Sequence, residues 1–264
     1  MIRIQRQAKV LQLLREREFV ENSELARIFG VTLTTIRRDL KTLAEQGVIN
    51  LDHGGAAWAN NGHIIDEPLY ETKVFVNREA KQSIGAAAAA LVQHGEAIIL
   101  DSGTTNAAIA RSLRTARPKD LTVITCDLMV AKELGAEQHI DVIVLGGLLR
   151  KSYYSTYGAY AEMILRNLHA VKFFLGVDAA DMEHGITNIV LEEAAIKRLQ
   201  MEISEQVILV ADSGKFGKTA LHRVCAWDAI DQIITDDCLN SEYTAFFAER
   251  NIPVLKVNPC GQPI

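Results

Sequence analysis

The chain has 264 residues, 48% apolar and 23% charged, with a net charge of −5. That length allows one large domain or two, and the composition is that of an ordinary globular chain. No apolar run is long enough to span a bilayer, which excludes a helical membrane protein. The charged start, MIRIQRQAKVLQLLRERE, lacks the apolar stretch of a signal peptide. Cys126, Cys225, Cys238 and Cys260 show no C-x-x-C spacing, so neither a zinc site nor a disulfide framework is expected. A reducing cytoplasm is the expected setting.

Charge is unevenly spread. Residues 1–58 hold nine Lys/Arg against seven Asp/Glu, a net of +2; the remainder holds nineteen against twenty-six, a net of −7. A mildly cationic head precedes an acidic body.

The first predicted helix runs from Gln7 to Arg17, with Val10, Leu11 and Leu14 as its apolar positions. Ser23 is the expected cap of a short second helix containing Leu25, Ala26, Ile28 and Phe29, which Gly30 ends. A third helix is expected over 32–46, capped by Thr32 and stopped by Gly47. In it Ile36, Leu40 and Leu43 share one face. Thr34, Arg38 and Lys41 point nearly opposite, with Arg37 beside them. Helix, short turn with glycine, helix is a helix-turn-helix arrangement. Val48–Leu51 reads as a strand leading to the turn-rich His53–Ala56, so a small β wing follows, with Phe19 and Val20 as a further short strand.

Residues 59–78 read as a linker: Asn60-Asn61-Gly62 signals a turn and Pro68 breaks regular structure. An alanine-rich packing helix opens at NREAKQSIGAAAAALV. Then come seven short apolar runs, EAIIL (96–100), LTVIT (121–125), DVIVL (141–145), KFFLGV (172–177), QVILVA (206–211), DQIIT (231–235) and PVLKV (253–257), with helical stretches between several of them. Continuous apolar strands alternating with helices predict an α/β domain over 79–264 with a mostly parallel sheet.

Ligands of open α/β sheets lie beyond the carboxyl ends of the strands. There the chain carries Asp101-Ser102-Gly103-Thr104-Thr105 opening a helix, Cys126-Asp127, Gly146-Gly147 with Arg150, Asp178, and Asp212-Ser213-Gly214-Lys215. Helix-start amides, hydroxyls and a glycine suit a phosphate, with Lys215 and Arg150 as charge partners. Asp101, Asp178 and Asp212 suit sugar hydroxyls, although Asp101 can instead fix its loop. Glu193 and Lys197 add possible acid–base groups. ADSGKFGKT fails as a P-loop because Asp212 stands where its first glycine belongs.

FVENSELARIFGVTLTTIRRDLKTLAEQGVI followed by HGGA, with DSGTT, LGGLLR, GVDAADMEHGITN, EEAAIKR and ADSGKFG in the body, resembles the DeoR family of bacterial transcriptional regulators over nearly the whole chain. The resemblance implies a winged helix-turn-helix domain (1–58), joined to a sensor domain of the ribose-5-phosphate isomerase-like fold that binds a sugar phosphate without turnover. It implies Thr34, Thr35, Arg37, Arg38, Lys41 and His53 nearest a double-stranded operator. It implies Asp101, Ser102, Gly103, Thr104, Thr105, Arg150, Asp178, Glu193, Lys197, Asp212 and Lys215 around the effector. No cofactor or metal is expected, and a homodimer or higher homo-oligomer is. Cys126 stands where members often have asparagine, and Asn50–Asp52 lack the wing arginine often found there. The competing expectation is a sugar-phosphate isomerase-like enzyme with an accessory head.

Overall fold

A computed structural model describes residues 1–17, 19–45, 48–52, 54–58 and 67–258. They form two compact units, 1–78 and 79–264.

In the first unit α1 spans Arg3–Arg17, β1 Phe19–Glu21, α2 Asn22–Phe29, α3 Leu33–Glu45, β2 Ile49–Asp52, β3 Gly55–Trp58 and α4 Tyr70–Lys73. The first helix begins four residues before the predicted start. The cause is tertiary: Arg6 Nε donates to Asp39 Oδ2 of α3 at 2.6 Å, and Arg3 Nε lies 3.5 Å from Asp39 Oδ1. Ser23 does not cap α2. Glu21 holds the cap position without a side-chain bond, and the Ser23 hydroxyl donates to Glu21 Oε2 at 3.0 Å. The Asn22 amide is met instead by Gly54 O at 2.8 Å. Gly30 ends α2 at φ 62°, a left-handed conformation suited to glycine. Thr32 caps α3, its hydroxyl accepting from the Thr35 amide at 3.3 Å. Ile36, Leu40 and Leu43 are buried with Leu11, Leu14 and Leu25 of the preceding helices. The wing is antiparallel in the order β1-β3-β2. Residues 67–78, expected as linker, fall within this first unit, with α4 packed on α1. Gly47, Asn60-Asn61-Gly62 and His53 lie outside the described residues.

In the second unit α5 spans Arg78–Ala90, β4 Ala97–Leu100, α6 Thr104–Ala116, β5 Leu121–Thr125, α7 Leu128–Leu134 and β6 Ile140–Val144. There follow β7 Leu148–Arg150, β8 Ser155–Tyr157, α8 Ala159–Leu165, β9 Ala170–Leu175, β10 Ala179–Asp181 and β11 Gly185–Asn188. The remaining elements are α9 Leu191–Glu202, β12 Ser204–Val210, β13 His222–Cys225, β14 Gln232–Asp236, α10 Ser241–Glu249 and β15 Val254–Val257. Seven strands form one parallel sheet in the order β15-β14-β12-β9-β4-β5-β6. They are the seven apolar runs, shifted at most by a few residues. Apolar residues run continuously because each strand feeds two cores: Ile99 and Phe173 pack into one, while Ile98, Leu100 and Phe174 pack into the other. Two small additions were not expected, the antiparallel pair β7-β8 and the antiparallel sheet β10-β11-β13. Among the described residues no helix is long and apolar enough to cross a membrane.

The alanine-rich α5 packs closely against α6. A Cβ added at Gly85 would lie 2.7 Å from the carbonyl carbon and 2.8 Å from the carbonyl oxygen of Ala108. Two effects oppose each other in Gly85→Ala. Helix propensity favours alanine by about 1 kcal/mol, whereas overpacking against backbone costs about 1–3 kcal/mol. The clash is with main chain that cannot swing aside, so a net loss of stability is expected. Urea unfolding of the variant measures it, and a gain would mean that α5 and α6 are not in this close contact.

Candidate functional site

The first unit presents a basic helix face. Thr34, Arg37, Arg38 and Lys41 are all exposed on α3, opposite the buried stripe. Lys41 Nζ is 4.0 Å from Glu45 Oε1, an exposed pairing that restrains it little. Thr35 is half-buried, and its hydroxyl lies 3.0 Å from that of Thr32, so it belongs to the cap as much as to the outer face. The first turn of α3 contains no acid. Its positive dipole end is therefore left for an outside anion. Asp39 was missed as a functional position. Its spacing from Ile36 and Leu43 already placed it on the dry face, and Arg3 and Arg6 were the cations available to meet it.

In the second unit the expected residues gather at the carboxyl edge of the sheet, and α9 organises them. Asp101, 1% exposed, closes β4. Its Oδ2 accepts from Lys197 Nζ of α9 and from the Gly176 amide at 2.9 Å, and its Oδ1 accepts from the Ser102 amide at 2.8 Å. Of the two roles open to Asp101, these contacts match fixing the loop. Burial pushes its carboxyl up, while the Lys197 ammonium pulls it down. Burial also acts to lower Lys197, but Asp101 and Glu193 outweigh it and hold the ammonium above its ordinary value. Lys197 Nζ also donates to Gly176 O at 3.1 Å.

One turn earlier on α9, Glu193 accepts from Arg150 Nη1 at 3.1 Å, the Ser155 hydroxyl at 2.6 Å and Asn188 Nδ2 at 3.2 Å. The Arg150 guanidinium lies 3.9 Å from the Tyr153 ring centroid. Asp178 accepts from the Ile189 amide at 3.1 Å. Asp212 is buried and Lys215 half-buried after β12, at the same edge and two strands from β4.

The 101–105 loop is narrower in its offer than its composition suggests. Ser102, Gly103 and Thr105 are half-exposed, but Thr104 is buried. The Ser102 amide is held by Asp101, and the Gly103 amide by Asp127 Oδ2 at 2.7 Å. The remaining orphan amides of the first turn of α6 are those of Thr104, Thr105 and Asn106. Gly103 sits at φ 121°, where a side chain would be strained. Asp101 is paired with Lys197 and Glu193 with Arg150, while Asp127, Asp178, Asp212 and Lys215 stand at the same sheet edge. The arrangement therefore offers carboxylates to hydroxyl donors and helix-start amides to an anion.

Two residues went unassigned in the sequence. Asp127 caps α7, its Oδ1 accepting from the Met129 amide at 2.6 Å and the Val130 amide at 3.2 Å while its Oδ2 holds Gly103. Its place just beyond β5 was the signal. Asn106 is fully buried with both carboxamide atoms unpartnered among the described residues. A Cβ at Gly176 would stand 3.1 Å from its Nδ2 and from Ser102 O, so a side chain there would require these neighbours to shift. Cys126 is buried, and burial pushes its thiol well above the ordinary range.

Lys197→Met would strand the buried Asp101 charge. A loss of about 3–5 kcal/mol is expected, and the Asp101→Asn/Lys197→Met double variant should recover much of it. Denaturant unfolding of both decides this; a double variant less stable than Lys197→Met would refute the pairing. Burial raises the Asp127 carboxyl to about 6 against three backbone amides that favour its ionised form. A carboxyl whose folded pKa exceeds its unfolded value contributes stability at low pH and loses it as pH rises through the folded pKa. The window is therefore about pH 4 to 6, with roughly 3 kcal/mol at stake at 1.36 kcal/mol per unit. A carbon-13 NMR titration of the Asp127 carboxyl should show a midpoint near 6, and a midpoint near 4 would contradict it.

The comparisons with known proteins bear on both units. A family model for the DeoR-like helix-turn-helix domain matches residues 6–61, and one for the DeoR C terminal sensor domain matches residues 76–237. A protein of Escherichia coli O157:H7 named for transcriptional repression of the aga operon is 35% identical over 253 residues, 96% of this chain and 93% of that protein. The HTH-type transcriptional regulator GolR of Listeria innocua is 31% identical over 254 residues, 96% of this chain and 98% of that one. Among solved structures, ribose 5 phosphate isomerase A from Neisseria gonorrhoeae has 15% identity and a TM-score of 0.40, over 53% of this chain and 54% of its own. With both units matched, the chain belongs to the DeoR family of helix-turn-helix transcriptional regulators.

Proposed function

We propose that this protein represses a carbohydrate-metabolism operon, and that a phosphorylated sugar controls its hold on a double-stranded operator. The observation that carries the reading is the cluster at the carboxyl edge of the sheet, where the start of α6 lies beside a carboxylate-rich set with three cations. Helix-start amides and Lys215 would take the phosphate, and the carboxylates would take sugar hydroxyls. In the other unit Arg37 and Arg38 would read guanine and Lys41 would hold phosphate. The relative named for aga operon repression supports repression of an operon as the mode of action. Reading helices of this kind pair over half-sites about one helical turn apart, so the working form would be a homodimer or larger.

The catalytic alternative is disfavoured by the same contacts. A general base must reach its proton, yet Asp101 and Glu193 are each engaged by three donors. The site would bind without turnover.

Fluorescence anisotropy on duplexes from the chain's own promoter region, with pentose and hexose phosphates titrated in, tests the reading. One of them should change the operator Kd by about 5–150-fold, and inorganic phosphate should not. Thr105→Glu should keep the operator affinity and lose the response, because it sets a carboxylate against the phosphate. Arg38→Ala should weaken operator binding by about 1–3 kcal/mol while keeping the thermal shift with the sugar phosphate. A responsive Thr105→Glu would remove the loop from the site, and conversion of the sugar phosphate seen by NMR would favour an enzyme.

A further inference from the structure

We propose that Leu33, the first residue of α3, reads thymine methyl groups and so sets part of the operator sequence. The inference rests on α3 being the reading helix. Leu33 is 44% exposed, whereas Ile36, Leu40 and Leu43 on the same helix are 1% exposed or less. Among the described residues it is the exposed large apolar side chain of α3; its exposed neighbours are Thr34, Arg37, Arg38, Lys41 and Glu45.

Three considerations turn this exposure into a role. First, residues at the N-terminal end of a reading helix are those that contact base edges. Second, helix starts favour acidic residues, and α3 has none in its first turn; an acid there would be repelled by DNA phosphates. Third, leucine has neither donor nor acceptor. On the major-groove edge of a base pair, the apolar feature open to it is the C5-methyl of thymine. Leu33 and Arg37 are neighbours at i and i+4, so the thymine should lie close to a guanine read by Arg37. Among the described residues Leu33 belongs neither to the cap, which Thr32 supplies, nor to the buried core of the head.

The test removes only the methyl group. Duplexes that bind the full-length chain are selected from a random pool, and each thymidine of the selected half-site is replaced in turn by deoxyuridine. Affinities are measured for the unmodified protein and for Leu33→Ala, with circular dichroism confirming that the variant folds. At one or two positions deoxyuridine should weaken the unmodified protein about fourfold, the equivalent of one buried methyl-sized group. Leu33→Ala should be indifferent at those same positions. If an operator is selected but no deoxyuridine effect depends on Leu33, the leucine is an incidental surface residue and the inference fails, with the DNA-binding reading intact. If no duplex is enriched, the DNA-binding reading fails, and the inference with it.

Discussion

The sensor unit depends on one buried ion pair. Asp101 ends β4, Gly176 follows β9, and Lys197 rises from α9; the ammonium and carboxylate join all three. A parallel sheet leaves strand-end amides and carbonyls that must be satisfied away from water. Here a charged pair satisfies them, and the desolvation it suffers is offset only because the carboxylate accepts from two amides besides the ammonium. The result is a loop tied to the segment after β9 and to α9 by the protein's own groups. For the proposed ligand, such preorganisation would lower the ordering cost of binding.

The helix that carries Lys197 carries a second anchor. Glu193 lies four residues earlier and so on the same face, where it gathers Arg150, Ser155 and Asn188. The hairpin β7-β8 and the strand β11 are tied to α9 by that carboxylate, and the loop after β4 is tied to it by Lys197. A displacement of α9 would disturb both groups of loops together. If a sugar phosphate binds at the sheet edge, as proposed, that coupling would give it a mechanical handle on elements that it does not touch.

Legibility in the sequence followed the range of the interactions. The seven sheet strands were readable because burial on both faces writes a continuous apolar run, a local signal. The third helix was readable because its stripe and its cap lie within a dozen residues. The pairs β7-β8 and β10-β11 were not, because LLR, STY and AAD are too short and mixed to show a period. The candidate site was legible as residues that would share one sheet edge but not as a set of contacts. Asp101 meets Lys197 across 96 positions and Arg150 meets Glu193 across 43; topology alone brings them together. Gly103 looks open to a ligand in the sequence, yet its amide is held by Asp127, which follows the neighbouring strand β5. Asn106 carries no local mark distinguishing it from a surface asparagine.

The head shows why net charge is a weak guide to a nucleic-acid surface. Its formal +2 is a sum over groups that act separately. Arg6 is buried against Asp39, and Arg17 pairs with Glu24 at 2.7 Å, so neither contributes to the α3 face. What remains there is Arg37, Arg38 and Lys41, a local excess that the sum conceals. Asp39 also governs their direction. At about 100° per residue, turning α3 by a single position would carry Arg38 toward the core. The apolar stripe alone tolerates some rotation, because hydrophobic contact is non-directional. A carboxylate bonded to Arg6 at 2.6 Å tolerates far less. The buried acid of a basic helix thus fixes which cations face outward, and the +2 of the head becomes a directed surface.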